Sequence, residues 1–216
     1  MEQLLPAWVT VVEAAPEMWE AEPLPEEAGL VSRAVPRRRR EFAAGRACAR
    51  LGLSRLGFPQ GPLLSGPDRA PLWPEGAVGS ITHCAGYAAA AVARSTQVRG
   101  LGIDAELNRP LPEGVAELVC SASERAWAAA APENGINWPT LIFSAKESLY
   151  KAWQPLTHTW LGHLDVELTV DDGSGAFQGR LLIPVPPALG RDFDVFRGRF
   201  AANSAHLFTA VAIGSG

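Results

Sequence analysis

Gly100-Leu-Gly-Ile-Asp-Ala-Glu106 is the stretch on which the reading of the fold turns. Its apolar start and the two acids at its end predict a strand that runs out of a core towards solvent. Successive strand side chains alternate between faces, so Asp104 and Glu106 point the same way. Two further strands are expected just upstream, Val78–His83 and Tyr87–Ala93, joined to this one by short polar turns. Before them the pattern EFAAGRACARLGLSRL predicts a helix over Glu41–Leu56 with a small-residue face. The acidic, proline-bearing stretch Pro16–Pro36 reads as irregular with one short helix, and the proline-rich Pro59–Pro74 as a long surface loop.

Downstream, Asn108–Gly114 carries two prolines and reads as a linker, which divides the chain into lobes over 1–107 and 108–216. Ser121-Ala-Ser-Glu124 is a capping-box pattern that opens a helix through Ala131, and Ser144-Ala-Lys-Glu147 a second that opens a helix to about Gln154. Strands are expected over Leu164–Val170, Ala176–Ile183, Asp194–Ala201 and His206–Ile213, with a hairpin turn at Asp171-Asp-Gly-Ser174. Each half thus combines helices with antiparallel strands, an α+β chain of two similar lobes.

At 216 residues and 47% hydrophobic, the chain is long enough to bury a core without staples. Its three cysteines, Cys48, Cys84 and Cys120, lack metal-ligand spacing and are expected as small buried thiols. No apolar run suits a membrane span and Met1–Thr10 has no basic leader, so the expectation is a cytoplasmic protein. A net charge of −4 argues against a general nucleic-acid binder. Seventeen of the 19 cations are arginine; the two lysines, Lys146 and Lys151, lie close together and are candidates for chemistry.

Three groups of residues carry the chemical signal. Asp104 and Glu106 on one strand face suit a magnesium ion, although a plain solvent face gives the same spacing. Glu147 and Lys151 are one helical turn apart in Phe143-Ser-Ala-Lys-Glu-Ser-Leu-Tyr-Lys-Ala-Trp153, too apolar a setting for a solvated helix. A capping residue and a routine ion pair are the plain alternatives there. Arg37–Arg40, Arg46 and the strand end Ser80-Ile-Thr-His83 offer anion-binding donors. Positioned cations, a metal site and a base are the parts that phosphoryl transfer requires.

RRRREFAAGRACAR, SITHC, LGIDAE and FSAKESLYKAW, in this order, resemble the 4′-phosphopantetheinyl transferases of the Sfp type, especially the enterobactin-synthase-component-D-like branch. The resemblance spans about Arg37 to Trp153. It implies two similar α/β lobes related by a pseudo-two-fold axis, with coenzyme A in the cleft between them. Asp104, Glu106 and Glu147 would ligate magnesium (or manganese), Lys151 would neutralise the transferred phosphate, and Glu147 would take the proton of a carrier-protein serine. Arg38, Arg46 and His83, with Thr82 nearby, would hold the 3′-phosphate and adenine end. Arg69 would be a further cation on the coenzyme's phosphates, at a place where relatives often have lysine; Ala105 stands where many have a larger aliphatic residue. The activity implied is transfer of phosphopantetheine to an apo acyl or peptidyl carrier by a monomer, without nucleic-acid or membrane partners. The rival readings are an inactive coenzyme-A-binding or assembly protein and a magnesium-dependent phosphodiesterase.

Overall fold

The computed structural model describes residues 1–66, 69–190, 193 and 195–214. Two antiparallel sheets form the frame. The first has strands β1 (Thr10–Glu13), β2 (Ala77–Cys84) and β3 (Tyr87–Arg94) in the order β1-β3-β2. The second has β4 (Val98–Leu107), β5 (Val166–Asp171), β6 (Ala176–Leu181), β7 (Val195–Ala202) and β8 (His206–Gly214) in the order β4-β8-β7-β6-β5. Helix α1 (Pro25–Ala28) is one turn. Helix α2 (Pro36–Arg55) lies on the first sheet, α3 (Val115–Val119) and α4 (Ala122–Ala130) are short, and α5 (Trp138–Thr157) lies on the second sheet.

The α+β plan of two helix-on-sheet lobes holds, with unequal sheets of three and five strands. Strand β4, counted above with the first lobe, hydrogen-bonds along β8 from Gly100↔Ile213 to Leu107↔His206. The sheets therefore part at the turn between β3 and β4. Strand β1 was not expected, because four residues are too few for a pattern to show. Helix α2 begins before Glu41: Pro36 sits in its first turn, where the missing N–H costs nothing, so the arginine run is helical. The first residue expected of β7, Asp194, lies outside the described residues, as do Pro67 and Asp68 of the proline-rich loop.

That loop is less superficial than its composition suggests. Leu63 is 1% exposed in the core beneath α2, and its N–H donates to Glu27 Oε1 at 2.9 Å. Glu27 is itself fully buried and ion-paired with Arg50 at 2.8 Å, so one carboxylate ties loop, α1 and α2 together.

Both faces of β3 are covered. Ala90 and Val92 pack with Cys48, Ala49 and Leu53 of α2. Ala89, Ala91 and Ala93 pack with Leu101, Ile103 and Ala105 of β4, forming a core between the lobes. A strand buried on both sides reads as a continuous apolar run, which Tyr87–Ala93 does. The third and largest core lies between α5 and the second sheet, around Leu149, Trp153, Phe177 and Phe196.

Glycines set how closely each helix approaches. A Cβ on Gly45 would meet Ile81 at 2.7 Å, and one on Gly100 the Ala152 carbonyl oxygen at 2.8 Å. At Gly102 the Cβ would overlap the Ser148 carbonyl oxygen outright. Because that neighbour is helix backbone, it cannot swing aside. Gly102→Ala should therefore destabilise the protein by about 3 kcal/mol in urea unfolding, at the upper end for overpacking. Gly61→Ala, with nothing within 4 Å of its Cβ, should stay within about 0.5 kcal/mol.

Candidate active site

Ser144, Glu147, Lys151 and Gln154 recur at helical spacing on the face of α5 that lies across β4. Asp104, 5% exposed on β4, meets three donors from two directions. Lys151 Nζ donates to its Oδ1 at 2.7 Å, Thr82 Oγ1 to the same oxygen at 3.3 Å, and Ser144 Oγ to Oδ2 at 2.8 Å. Lys151 also donates to the Ile103 carbonyl at 3.0 Å.

Ser144 is not a helix cap. Helix α5 starts two turns earlier, at Asn137, whose side chain accepts from the Thr140 N–H at 3.2 Å, with Pro139 in the first turn. An Asn cap followed by proline is a strong start, and it leaves Ser144 buried in mid-helix, free to bond Asp104. The i,i+4 pair of Glu147 and Lys151 is also not the one formed: Lys151 pairs with Asp104, and Glu147 Oε1 with His163 Nε2 at 2.9 Å.

The two lysines divide. Lys146 is 2% exposed, ion-paired with Glu124 at 2.7 Å and donating to the Val119 and His163 carbonyls. It organises the loops around α5, while Lys151 faces the site. All three cysteines are free, Cys48 and Cys120 buried and Cys84 half-buried.

A cavity of about 990 Å³ runs from α2 across the ends of β2 and β4 to α5. Arg38, Arg46, Arg69, Thr82, His83, Asp104, Glu147 and Lys151 all line it. Glu106 does not, although it lies close enough to feel both other acids: burial first, then Asp104 and Glu147, push its carboxyl up to about 7 against the pull of Lys151. Among the described residues no three of His, Cys, Asp and Glu are already set around one point as metal ligands. Burial also pushes the Glu147 carboxyl up, but the His163 hydrogen bond and the Lys151 ammonium outweigh it and leave it below the usual carboxylate range.

At the other end the donors are cations, Arg46 buried and Arg38 and Arg69 exposed. Arg46 is 5% exposed, its guanidinium 4.7 Å from the Phe42 ring centroid, with Nη2 donating to Ser65 Oγ at 3.1 Å. Its Nε is buried with no partner. Burial lowers its pKa to about 10, so it stays charged at neutral pH. Arg38 contacts the His83 ring, and burial followed by the Arg38 charge brings His83 down to about 4, neutral at pH 7. Arg69 sits at a left-handed backbone position, φ 67°, where the loop folds back through Arg69 N–H to Gly66 O at 2.9 Å.

What joins the two ends is a pair of hydroxyls. Ser80 Oγ accepts from the Ile103 N–H at 3.1 Å and Thr82 Oγ1 from the Ala105 N–H at 2.9 Å. Strands β2 and β4 thus run side by side, sewn by side chains where a backbone ladder would otherwise stand. Thr82 lines the cavity, but its hydroxyl is committed to Ala105 and Asp104.

Residues 26–93 match the family model described as the 4′-phosphopantetheinyl transferase N-terminal domain, and residues 100–191 that of the 4′-phosphopantetheinyl transferase superfamily. The chain belongs to the 4′-phosphopantetheinyl transferase superfamily. It is 50% identical to the 4′-phosphopantetheinyl transferase Svp of Streptomyces mobaraensis, over 97% of this chain and 87% of that one. It is 43% identical to the 4′-phosphopantetheinyl transferase PptT of Mycobacterium tuberculosis, over 88% and 86%. Enterobactin synthase component D of Salmonella typhi is 37% identical over 54% of this chain and 49% of its own.

Sequence patterns left several lining or supporting residues of this transferase unmarked. Phe42 and Trp73 looked like core or loop residues, and His163 lies in an irregular segment without spacing to read. Replacing Thr82 with valine keeps the shape but strips Ala105 of its acceptor and Asp104 of a donor. Thr82→Val should cost about 1–3 kcal/mol in thermal or urea unfolding and lower turnover. Thr82→Ser, which keeps the hydroxyl, should stay close to wild type in both.

Proposed function

We propose that this transferase moves the 4′-phosphopantetheine arm of coenzyme A onto a serine of an apo acyl or peptidyl carrier protein, releasing adenosine 3′,5′-bisphosphate. The observation that carries the reading is one cavity with the buried Arg46 guanidinium, its Nε without a partner, at one end and Asp104, Glu147 and Lys151 at the other. A buried cationic donor without an acceptor is costly unless a ligand supplies one, and a phosphate does so well. Arg38, Arg46 and Arg69, with neutral His83, would take the 3′-phosphate and adenine end.

At the reacting end the serine oxygen bonds to the β-phosphorus as the bond from that phosphorus to the bridging oxygen breaks. Glu147, held ionised by its neighbours, accepts the serine proton. Lys151 spends two of its three N–H groups on Asp104 and Ile103, which leaves a third for an oxygen of the transferring group. Charge placed in advance where negative charge develops is commonly the largest catalytic term.

Asp104, Glu106 and Glu147 fit a divalent ion by their chemistry: they are hard oxygen donors, and burial first, then repulsion by Asp104 and Glu147, raises Glu106, a cost that a cation would relieve. Held by these acids, magnesium or manganese would neutralise charge on the pyrophosphate. The two lobes act as one catalytic unit, and because one chain forms the whole cavity, a monomer suffices. No helix among the described residues is long and apolar enough to cross a membrane; we take the cytoplasm as its compartment.

Incubation with coenzyme A, magnesium and an apo carrier should add the mass of the arm to the carrier. Asp104→Ala and Glu147→Ala should abolish the gain; the melting temperature should stay within a few degrees in Glu147→Ala and fall further in Asp104→Ala, which leaves Lys151, Ser144 and Thr82 without their acceptor. Arg46→Ala should raise the KM for coenzyme A about tenfold or more with a smaller effect on kcat, since the contact serves ground and transition states alike. No gain on acyl, peptidyl or aryl carriers contradicts the reading, and release of adenosine bisphosphate without a carrier would point to a phosphodiesterase.

A further inference from the structure

Glu147 at the reacting end is held from outside the β4–α5 contact, by the segment that follows α5. Its Oε1 lies 2.9 Å from His163 Nε2, and both side chains are 29% exposed. His163 is fixed twice over. Its ring stacks on Phe143, centroids 5.6 Å apart and planes 25° from parallel, one turn before Glu147 on the same helix. Its carbonyl oxygen accepts from Lys146 Nζ at 2.7 Å, and Lys146 is locked by the buried Glu124. Consecutive residues of α5 therefore grip the two ends of one histidine, Lys146 its backbone and Glu147 its ring. The short helical turn His163–Asp165 that presents it is closed by Asp165, which accepts from the Gly162 N–H at 2.8 Å.

We propose that His163 is a positioning residue for Glu147: its Nε2–H donates to Oε1, fixes the carboxylate rotamer and leaves Oε2 to take the proton of the attacking serine. This rests on the functional reading above and names a part of its machinery. A carboxylate on a flexible side chain spends much of its time misdirected, and one fixed donor removes that loss at the moment of attack. The 3′-phosphate and adenine end of coenzyme A would be held by Arg38, Arg46 and Arg69 at the far end of the cavity, so the loss should fall mainly on kcat.

The test measures kcat and KM separately for His163→Ala and His163→Gln. His163→Ala should lower kcat about tenfold, the worth of one hydrogen bond to a charged group, with the KM for coenzyme A within twofold of wild type. His163→Gln, an amide donor able to reach the same oxygen, should recover a substantial part of the loss. A kcat within twofold of wild type in the alanine variant, or equal losses in both variants, overturns the proposal. Nitrogen-15 NMR of the histidine rings reads the pairing without turnover. His163 should carry its proton on Nε2 with a resonance that moves in Glu147→Ala, and a resonance indifferent to that change also overturns it. An inactive wild-type protein would count against the functional reading alone, while the NMR result still decides this one.

Discussion

Helix α5 lies against bare backbone. With no side chain at Gly100 or Gly102, the carbonyls of Ser148 and Ala152 approach β4 at a distance that any other residue would forbid. That approach is what brings Ser144 and Lys151 within hydrogen-bonding reach of Asp104. The long Lys151 side chain could bridge a wider gap, but the short Ser144 hydroxyl could not. The constraint is steric, and the electrostatics of the reacting end follow from it.

The second dependency is the seam between the sheets. Strands β2 and β4 belong to different sheets, and Ser80 and Thr82 of β2 link them with two hydroxyl acceptors. Their alternate spacing is that of one strand face, so both meet N–H groups of β4 that also stand two residues apart. Thr82 then passes the link on to Asp104. The anion-binding residues of α2 and β2 are in this way placed relative to the acids of β4 and α5 by bonded contacts, and the small alanines of β3 let the lobes close on each other. One ligand can consequently be gripped at both ends.

Much of this was legible in the sequence because it is local. Strand alternation placed Asp104 and Glu106 together, and the spacing in FSAKESLYK placed Glu147 and Lys151 on one face. Joined with the arginines of α2, these motifs resemble a known family, and the family models match over the same segments. What escaped was set by tertiary context. Ser144-Ala-Lys-Glu147 has the form of a helix start, yet Asn137 with Pro139 starts the helix earlier and turns Ser144 into a ligand of Asp104. Lys146 and Lys151 look alike in sequence, and only the depth of each side chain separates a buried strut from a group at the cavity. The membership of β4 in the second sheet depends on pairing with residues a hundred positions later, which no local pattern records.

The account stands on one coenzyme molecule spanning the seam, held by α2 at one end and presented to β4 and α5 at the other. A crystal structure of the protein with coenzyme A and magnesium tests this most directly. It should show the 3′-phosphate within hydrogen-bonding distance of Arg46, its Nε now partnered, and the pyrophosphate of the same molecule against Lys151 and the Asp104–Glu147 acids. Coenzyme A seated outside this cavity, or inside it with its pyrophosphate remote from Lys151, would contradict the account.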